Sequence, residues 1–259
     1  MKHESGQPLS GAVPDDAVDD VQRGRHARLA LVIAVAMSLL LVVLPRLWPA
    51  LGWLAWPQAL IATLVHELGH GVAALLSGGG FESLRLYPDG SGVAMTRNSA
   101  AGLQRALIAA GGPFGPPLAA LGLFIAARRA RVARAALALV ALVLVLALLM
   151  WVRNPFGIGW VALCALVAGL AAWRVSAIAA QALTCFVAVQ LCLASLARAD
   201  YLFSRGASTG AGEFASDTQQ IAAHLGGPHW FWGGLILLVA TLVMVVGVWV
   251  FLRTLRTNR

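Results

Sequence analysis

Seven apolar runs follow one another along the chain, at 29–44, about 57–76, about 103–126, 135–152, 156–173, 175–197 and 230–252. No other feature limits the fold so strongly. A helix satisfies its own backbone N–H and C=O groups, and about 20 apolar residues in that form cross the hydrocarbon of a bilayer. Several runs fall slightly short of that length, so the count is about seven, with six as the alternative. Composition agrees. Of the 259 residues, 59% are hydrophobic and 12% charged, against about a quarter charged in a soluble domain. The expected fold is an all-α polytopic membrane protein of about seven transmembrane helices, seated in a lipid bilayer.

The polar stretches divide the rest. Residues 1–27, with "PDDAVDD" and "RGRHAR", read as a disordered N-terminal tail. Residues 28–253 form one transmembrane domain, and 254–259 a basic C-terminal tail. After the second run, "FESLRLYPDGSGVAMTR" (81–97) alternates apolar and polar residues on both sides of Pro88-Asp89-Gly90. That tripeptide presets a tight turn, so a small β-hairpin is expected there. "AAGGPFGPPLAALG" in the third run allows close backbone approach or a broken helix. A polar loop spans 198–228. The formal charge of +8 comes from 19 basic and 11 acidic residues. The arginines sit at helix ends, and no basic face interleaves with exposed aromatics, so no nucleic-acid partner is expected. Cys164, Cys185 and Cys192 lie in apolar runs without a CxxC pair and read as packing residues.

One segment breaks the apolar pattern in a way that demands chemistry. The second run contains "VHELGH", residues 65–70. On a helix His66 and His70 are one turn apart on one face, the spacing of two ligands to a single Zn²⁺. Glu67 lies at a neighbouring angle, where it can take the proton of an attacking water. Ionisable groups at membrane depth are costly and mark function. Gly69 and Gly71 leave the helix surface bare beside them.

"HELGHGVAALLSGG" followed by "LRLYPDGSGV" resembles the site-2-protease class of intramembrane zinc metallopeptidases, and most closely its bacterial peptidase M50B-like branch. "WVRNPFG" and "SDTQQIAAHLGGPHWFW" are similar to the same branch, so the resemblance covers roughly residues 55–250. It implies Zn²⁺ held by His66, His70 and a third residue, Glu67 as general base, and cleavage of a transmembrane protein substrate within or beside the bilayer. It also favours the site facing the cytoplasm, and the absence of any organelle-targeting signature makes a bacterial inner membrane the simplest home. The chain departs from the better-studied members in having no Asp-Gly inside a later apolar run.

The third ligand is therefore open. Asp89-Gly90 is explained by its turn. Asn154, at the junction of the fourth and fifth runs, carries an amide oxygen and suits a substrate-binding or ligand-orienting role better than ligation. Asp200 closes the sixth run beside Arg198, where an interfacial ion pair would account for it. Asp217 opens a short helix, "SDTQQIAAHL", whose Ser216 and Gln219 form a capping box. His224 and His229 are outside candidates. We take Asp217 as the third ligand.

Each span reverses the chain's direction. The end of the motif helix, the hairpin, the "RNP" junction and the 198–228 loop therefore share one side, and "ARRARVAR" lies on the other. The zinc would sit about 10–15 Å in from that side at 1.5 Å per residue, reached by water through a protein-lined cavity. Lys and Arg divide ten to nine between the two sides, so charge counting does not orient the chain. Two other functions fit the motif: a catalytically silent zinc-binding scaffold or regulator, and an ion or proton transporter. A transporter calls for polar residues spread over several helices at midplane, which this chain lacks.

Overall fold

The computed structural model describes residues 15–97 and 102–256. Eight α-helices and two small antiparallel hairpins follow in order: α1 (Asp15–Leu47), α2 (Trp56–Leu76), β1 (Gly80–Leu86), β2 (Gly92–Arg97), α3 (Leu103–Ala126), α4 (Ala130–Met150), α5 (Pro155–Arg174), α6 (Ala177–Ala197), β3 (Gly206–Thr209), β4 (Gly212–Ala215), α7 (Asp217–Leu225) and α8 (His229–Arg256). Short 3₁₀ turns at Pro49–Ala55 and Ala199–Phe203 precede α2 and follow α6. All but α7 are long and apolar enough to cross a membrane, which makes seven spans.

The packing is that of helices in lipid. Leu39, Leu139, Leu149, Leu166 and Val245 point outward and are exposed, while Ala34, Ala120 and Ala188 lie inside. Small residues let helices approach where no water drives them together. Helix α1 starts at Asp15, inside the stretch expected to be a disordered tail. Its "DDAVDD" opening places acidic residues at the end where a helix dipole favours them, so helix extends upstream of the apolar run. Residues 1–14 and 257–259 lie outside the described residues.

Helix α3 is the centre, packed against α2, α6, α7 and α8. It stays continuous through Pro113, Pro116 and Pro117, so of the two options its Gly/Pro content allowed, close approach is the one realised. A Cβ on Gly111 would come within 2.6 Å of the Gly69 carbonyl oxygen, and one on Gly115 within 2.6 Å of the Val65 oxygen. The two backbones therefore touch, and α3 lies directly against the motif face of α2.

The first hairpin does not project into solvent. It folds back along α2: Phe81 fills the space over Gly71, Gly92 presses on Thr63 and Glu67, Thr63 Oγ1 donates to the Gly90 carbonyl at 2.7 Å, and the Trp56 indole N–H donates to the Pro88 carbonyl at 2.7 Å. Strand backbone beside a membrane-spanning helix needs partners on every edge. One edge of β1 pairs with β2. The other is closed by the α4–α5 junction: Leu84 N–H donates to the Trp151 carbonyl (2.7 Å) and Arg153 N–H to the Leu84 carbonyl (3.1 Å). Asp89 sits in the turn, its Oδ1 accepting from the Ser91 N–H (2.9 Å) and hydroxyl (2.6 Å). The hydroxyl bond, then the amide, hold its carboxyl below the usual range.

The second hairpin, β3–β4, was not expected within the 198–228 loop. Its strands are four residues each and largely exposed, so no apolar alternation marks them. Its tip meets the first hairpin, where Gly210 lies against the Tyr87 ring and donates its N–H to Ser91 Oγ at 2.9 Å.

Candidate metal centre

His66 and His70 project from α2 toward α3 and α7. Their Nε2 atoms are 3.2 Å apart. The Asp217 carboxylate reaches both, Oδ2 lying 3.2 Å from His66 Nε2 and Oδ1 3.4 Å from His70 Nε2. Among the described residues this is the one group of three His, Cys, Asp or Glu side chains so closely gathered. The distances have a simple meaning. Donors about 2.0–2.1 Å from a tetrahedral Zn²⁺ are about 3.3–3.4 Å from each other.

The protonation pattern fits a cation as well. His70 Nδ1 lies 2.7 Å from the Ile108 carbonyl oxygen, which can only accept, so Nδ1 carries the proton and Nε2 offers its lone pair. A backbone carbonyl in this position fixes ring orientation and tautomer in metal sites. Asp217 Oδ2 is buried without a hydrogen bond. Burial alone pushes the Asp217 carboxyl up, yet the His70 and His66 imidazoles and the Tyr201 hydroxyl outweigh it and hold the group below the ordinary range. His66 Nε2, His70 Nε2 and the Asp217 carboxylate thus converge on one point, and two imidazoles with one carboxylate form a donor set that suits Zn²⁺. Gly112 of α3 makes the room: a Cβ there would come 2.7 Å from His66 Nε2 and would collide with His70 Nε2.

Asp217 is brought in by local rules. Ser216 caps α7, its hydroxyl oxygen accepting the Gln219 N–H at 3.2 Å, and donates to the Ser204 carbonyl at 2.6 Å. The loop is thereby tied to the end of α6. The Asp217 N–H donates to the Tyr201 hydroxyl oxygen at 3.2 Å, and that hydroxyl is among the groups that hold the Asp217 carboxylate ionised. Tyr201 also stands edge-on to the His66 ring, centroids 6.2 Å apart. Tyr201→Phe is expected to keep the fold and weaken Zn²⁺ binding about 10–100-fold, as losing a partner that orients a ligand does. Titration against a chelator measures it; unchanged affinity would mean that Asp217 is held without the hydroxyl.

Glu67 is buried, 7% exposed, and with His66 lines a cavity of about 610 Å³. That cavity runs from the hairpin tips inward between α3, α6 and α8, and β3 forms part of its wall. Asp200 lines it too but is not one of the converging three. The expected Asp200–Arg198 pair is replaced: Arg198 crosses the cavity and donates to Thr63 Oγ1 at 2.9 Å, with the Ala59 carbonyl at 3.5 Å. Asn154 is likewise engaged away from the imidazoles. Its Nδ2 donates to the Leu86 carbonyl at 2.6 Å and its Oδ1 accepts the Leu86 N–H at 3.2 Å. One side-chain amide thus completes the β1 edge beyond residue 153. His229 bonds the Phe203 carbonyl at 3.1 Å, and His224 is in the last turn of α7. Arg198, Tyr201, Thr63 and Gly112 escape a reading by motif. Only the clustering of Arg, Asp and Tyr at 198–201, just past an apolar run, could have flagged two of them.

A family model described as Peptidase M50B-like matches residues 25–247 of the chain. No curated protein and no solved structure matches it.

Proposed function

The chain belongs to the Peptidase M50B-like family, and from that premise we propose that it is an intramembrane zinc metalloprotease acting on a transmembrane protein substrate. The observation that carries this reading is the meeting of His66, His70 and Asp217 at the mutual distances of a tetrahedral site, beside buried Glu67. The two imidazole Nε2 atoms and the Asp217 carboxylate would hold Zn²⁺. When bound, the ion would polarise the scissile carbonyl and lower the pKa of a water.

The residues of the chain do the rest. Glu67 takes the attacking water's proton and passes it to the leaving amine as the C–N bond breaks. His70, held by the Ile108 carbonyl, keeps its ring in one orientation throughout. A substrate helix must unwind first, because its carbonyls are already bonded. Both groups of Leu84 and Leu86 on the outer edge of β1 are taken, so strand addition falls to β2, which begins at Gly92 against Glu67 and has one strand partner. An extended substrate paired there by main-chain bonds would pass the base. The cavity opening at the hairpin tips supplies water. We further propose a bacterial inner membrane as its home, with this end toward the cytoplasm.

The test is metal content. Protein purified without chelators is expected to hold about one Zn²⁺ per chain, measured by elemental mass spectrometry. Protein that neither retains zinc nor takes it up on titration would overturn the reading.

A further inference from the structure

The end of the molecule opposite the metal centre has no assigned role, and its charge is one-sided. The sequence contains no Asp or Glu between residues 90 and 199, and none after 217. That end is built from the close of α3, the start of α4, the α5–α6 turn and the close of α8. They converge: Arg134 donates to the Val175 carbonyl at 2.6 Å, Gln181 to the Ala127 carbonyl at 2.9 Å, and the Phe124 and Phe251 rings lie 6.1 Å apart. Arg128, Arg129, Arg131, Arg134, Arg174 and Arg253 are all exposed there. Arg131 and Arg134 sit in the opening turns of α4, which has no acidic residue in its first turn. Cations at the positive end of a helix dipole repel it, so Arg131 and Arg134, with Arg129 just before them, make this end attractive to anions.

Two of the arginines are already arranged at membrane-surface level. The Arg174 guanidinium lies over the Trp173 ring, 3.8 Å from its centroid, and Arg253 over Trp249 at 3.6 Å. Trp173 and Trp249 are 68% and 48% exposed, at the ends of the lipid-facing helices α5 and α8. Exposed tryptophans at helix ends lie among lipid headgroups. Stacking fixes a guanidinium plane and leaves its N–H edge for in-plane, bidentate phosphate bonds.

We propose that this end is a binding surface for anionic phospholipid headgroups, which dock on the arginine cluster between the helix ends and hold the molecule at its depth in the leaflet opposite the metal centre. Charge complementarity and continuity with the lipid-facing helices identify the occupant.

The probes are short-chain phosphatidylglycerol and phosphatidylcholine, titrated onto detergent-solubilised full-length protein and counted by native mass spectrometry. The wild type is expected to prefer phosphatidylglycerol. Each surface arginine contributes about fivefold to an anionic lipid, so R129Q/R131Q/R134Q should lower that affinity about a hundredfold and leave phosphatidylcholine binding unchanged. The corresponding triple Lys variant should keep most of it, and the same substitution at Arg85 and Arg97, on the other end, should change little. Raising salt from about 0.1 M to about 1 M, which shortens the screening length from about 10 to about 3 Å, should weaken the wild-type preference. This salt arm needs no variant, so it decides even if the triple variant fails to fold. Equal binding of the two lipids, or a preference insensitive to salt, would overturn the proposal. Zinc content is measured alongside and is expected to be unchanged.

Discussion

Glu67→Gln is expected to keep zinc and to slow cleavage of a membrane-embedded peptide bond by about 10²–10⁴-fold, the usual loss when a general base is removed. The substitution preserves size and one oxygen. Glu67 touches Gly92 and lines the cavity but is not one of the three converging donors, so the metal set is untouched. This variant separates the proposed protease from a silent zinc-binding scaffold. A scaffold would perform equally with either residue. Processing of a substrate by Glu67→Gln at the wild-type rate, in zinc-replete protein, would rule out Glu67 as the base.

The second large effect concerns the ligands. His66→Ala, His70→Ala and Asp217→Ala should each weaken zinc by roughly a thousandfold, about a third of the ~10–16 kcal/mol that holds zinc in a complete site. Asn154→Ala and Asp200→Ala should leave zinc affinity near wild type, because neither reaches the imidazoles. Asn154→Ala should instead loosen the hairpin, since the Leu86 N–H and C=O lose their partners in a place poor in water. Hydrogen exchange at 80–97 would show it. The pattern across the five variants is the measurement. A ligand role for Asp200 would appear as zinc loss in Asp200→Ala with retention in Asp217→Ala.

Much of this architecture was legible because it rests on local rules. Apolar run length marked the spans. The spacing of His66 and His70 marked one helix face, and Pro88-Asp89-Gly90 marked the turn. Ser216 and Gln219 marked the start of α7, although the same capping pattern offered Asp217 a purely helix-opening role. The remainder depends on tertiary path. Nothing in "FESLRLYPDGSGVAMTR" says that the hairpin folds back along α2, because that follows from what Gly71, Gly92 and the 151–153 backbone offer it. The use of Asn154 as a strand edge was hidden for the same reason. Strands β3 and β4 bury almost nothing, so their sequence carries no apolar imprint. Arg198 was misassigned to its neighbour Asp200 because a long side chain at a helix end reaches farther across space than along the chain.

Asp217 belongs to a loop near the end of the chain, whereas both histidines come from the second span. They are separated by roughly 150 residues, about 8–30 s of ribosomal synthesis. Throughout that interval the growing protein would carry a buried base and two imidazoles in the bilayer without their carboxylate partner. A hydrolytic centre assembled from its last loop stays inert until nearly every helix has been inserted. The order of the gene would thus act as a safety catch, keeping a half-built protease from meeting the other membrane proteins emerging beside it.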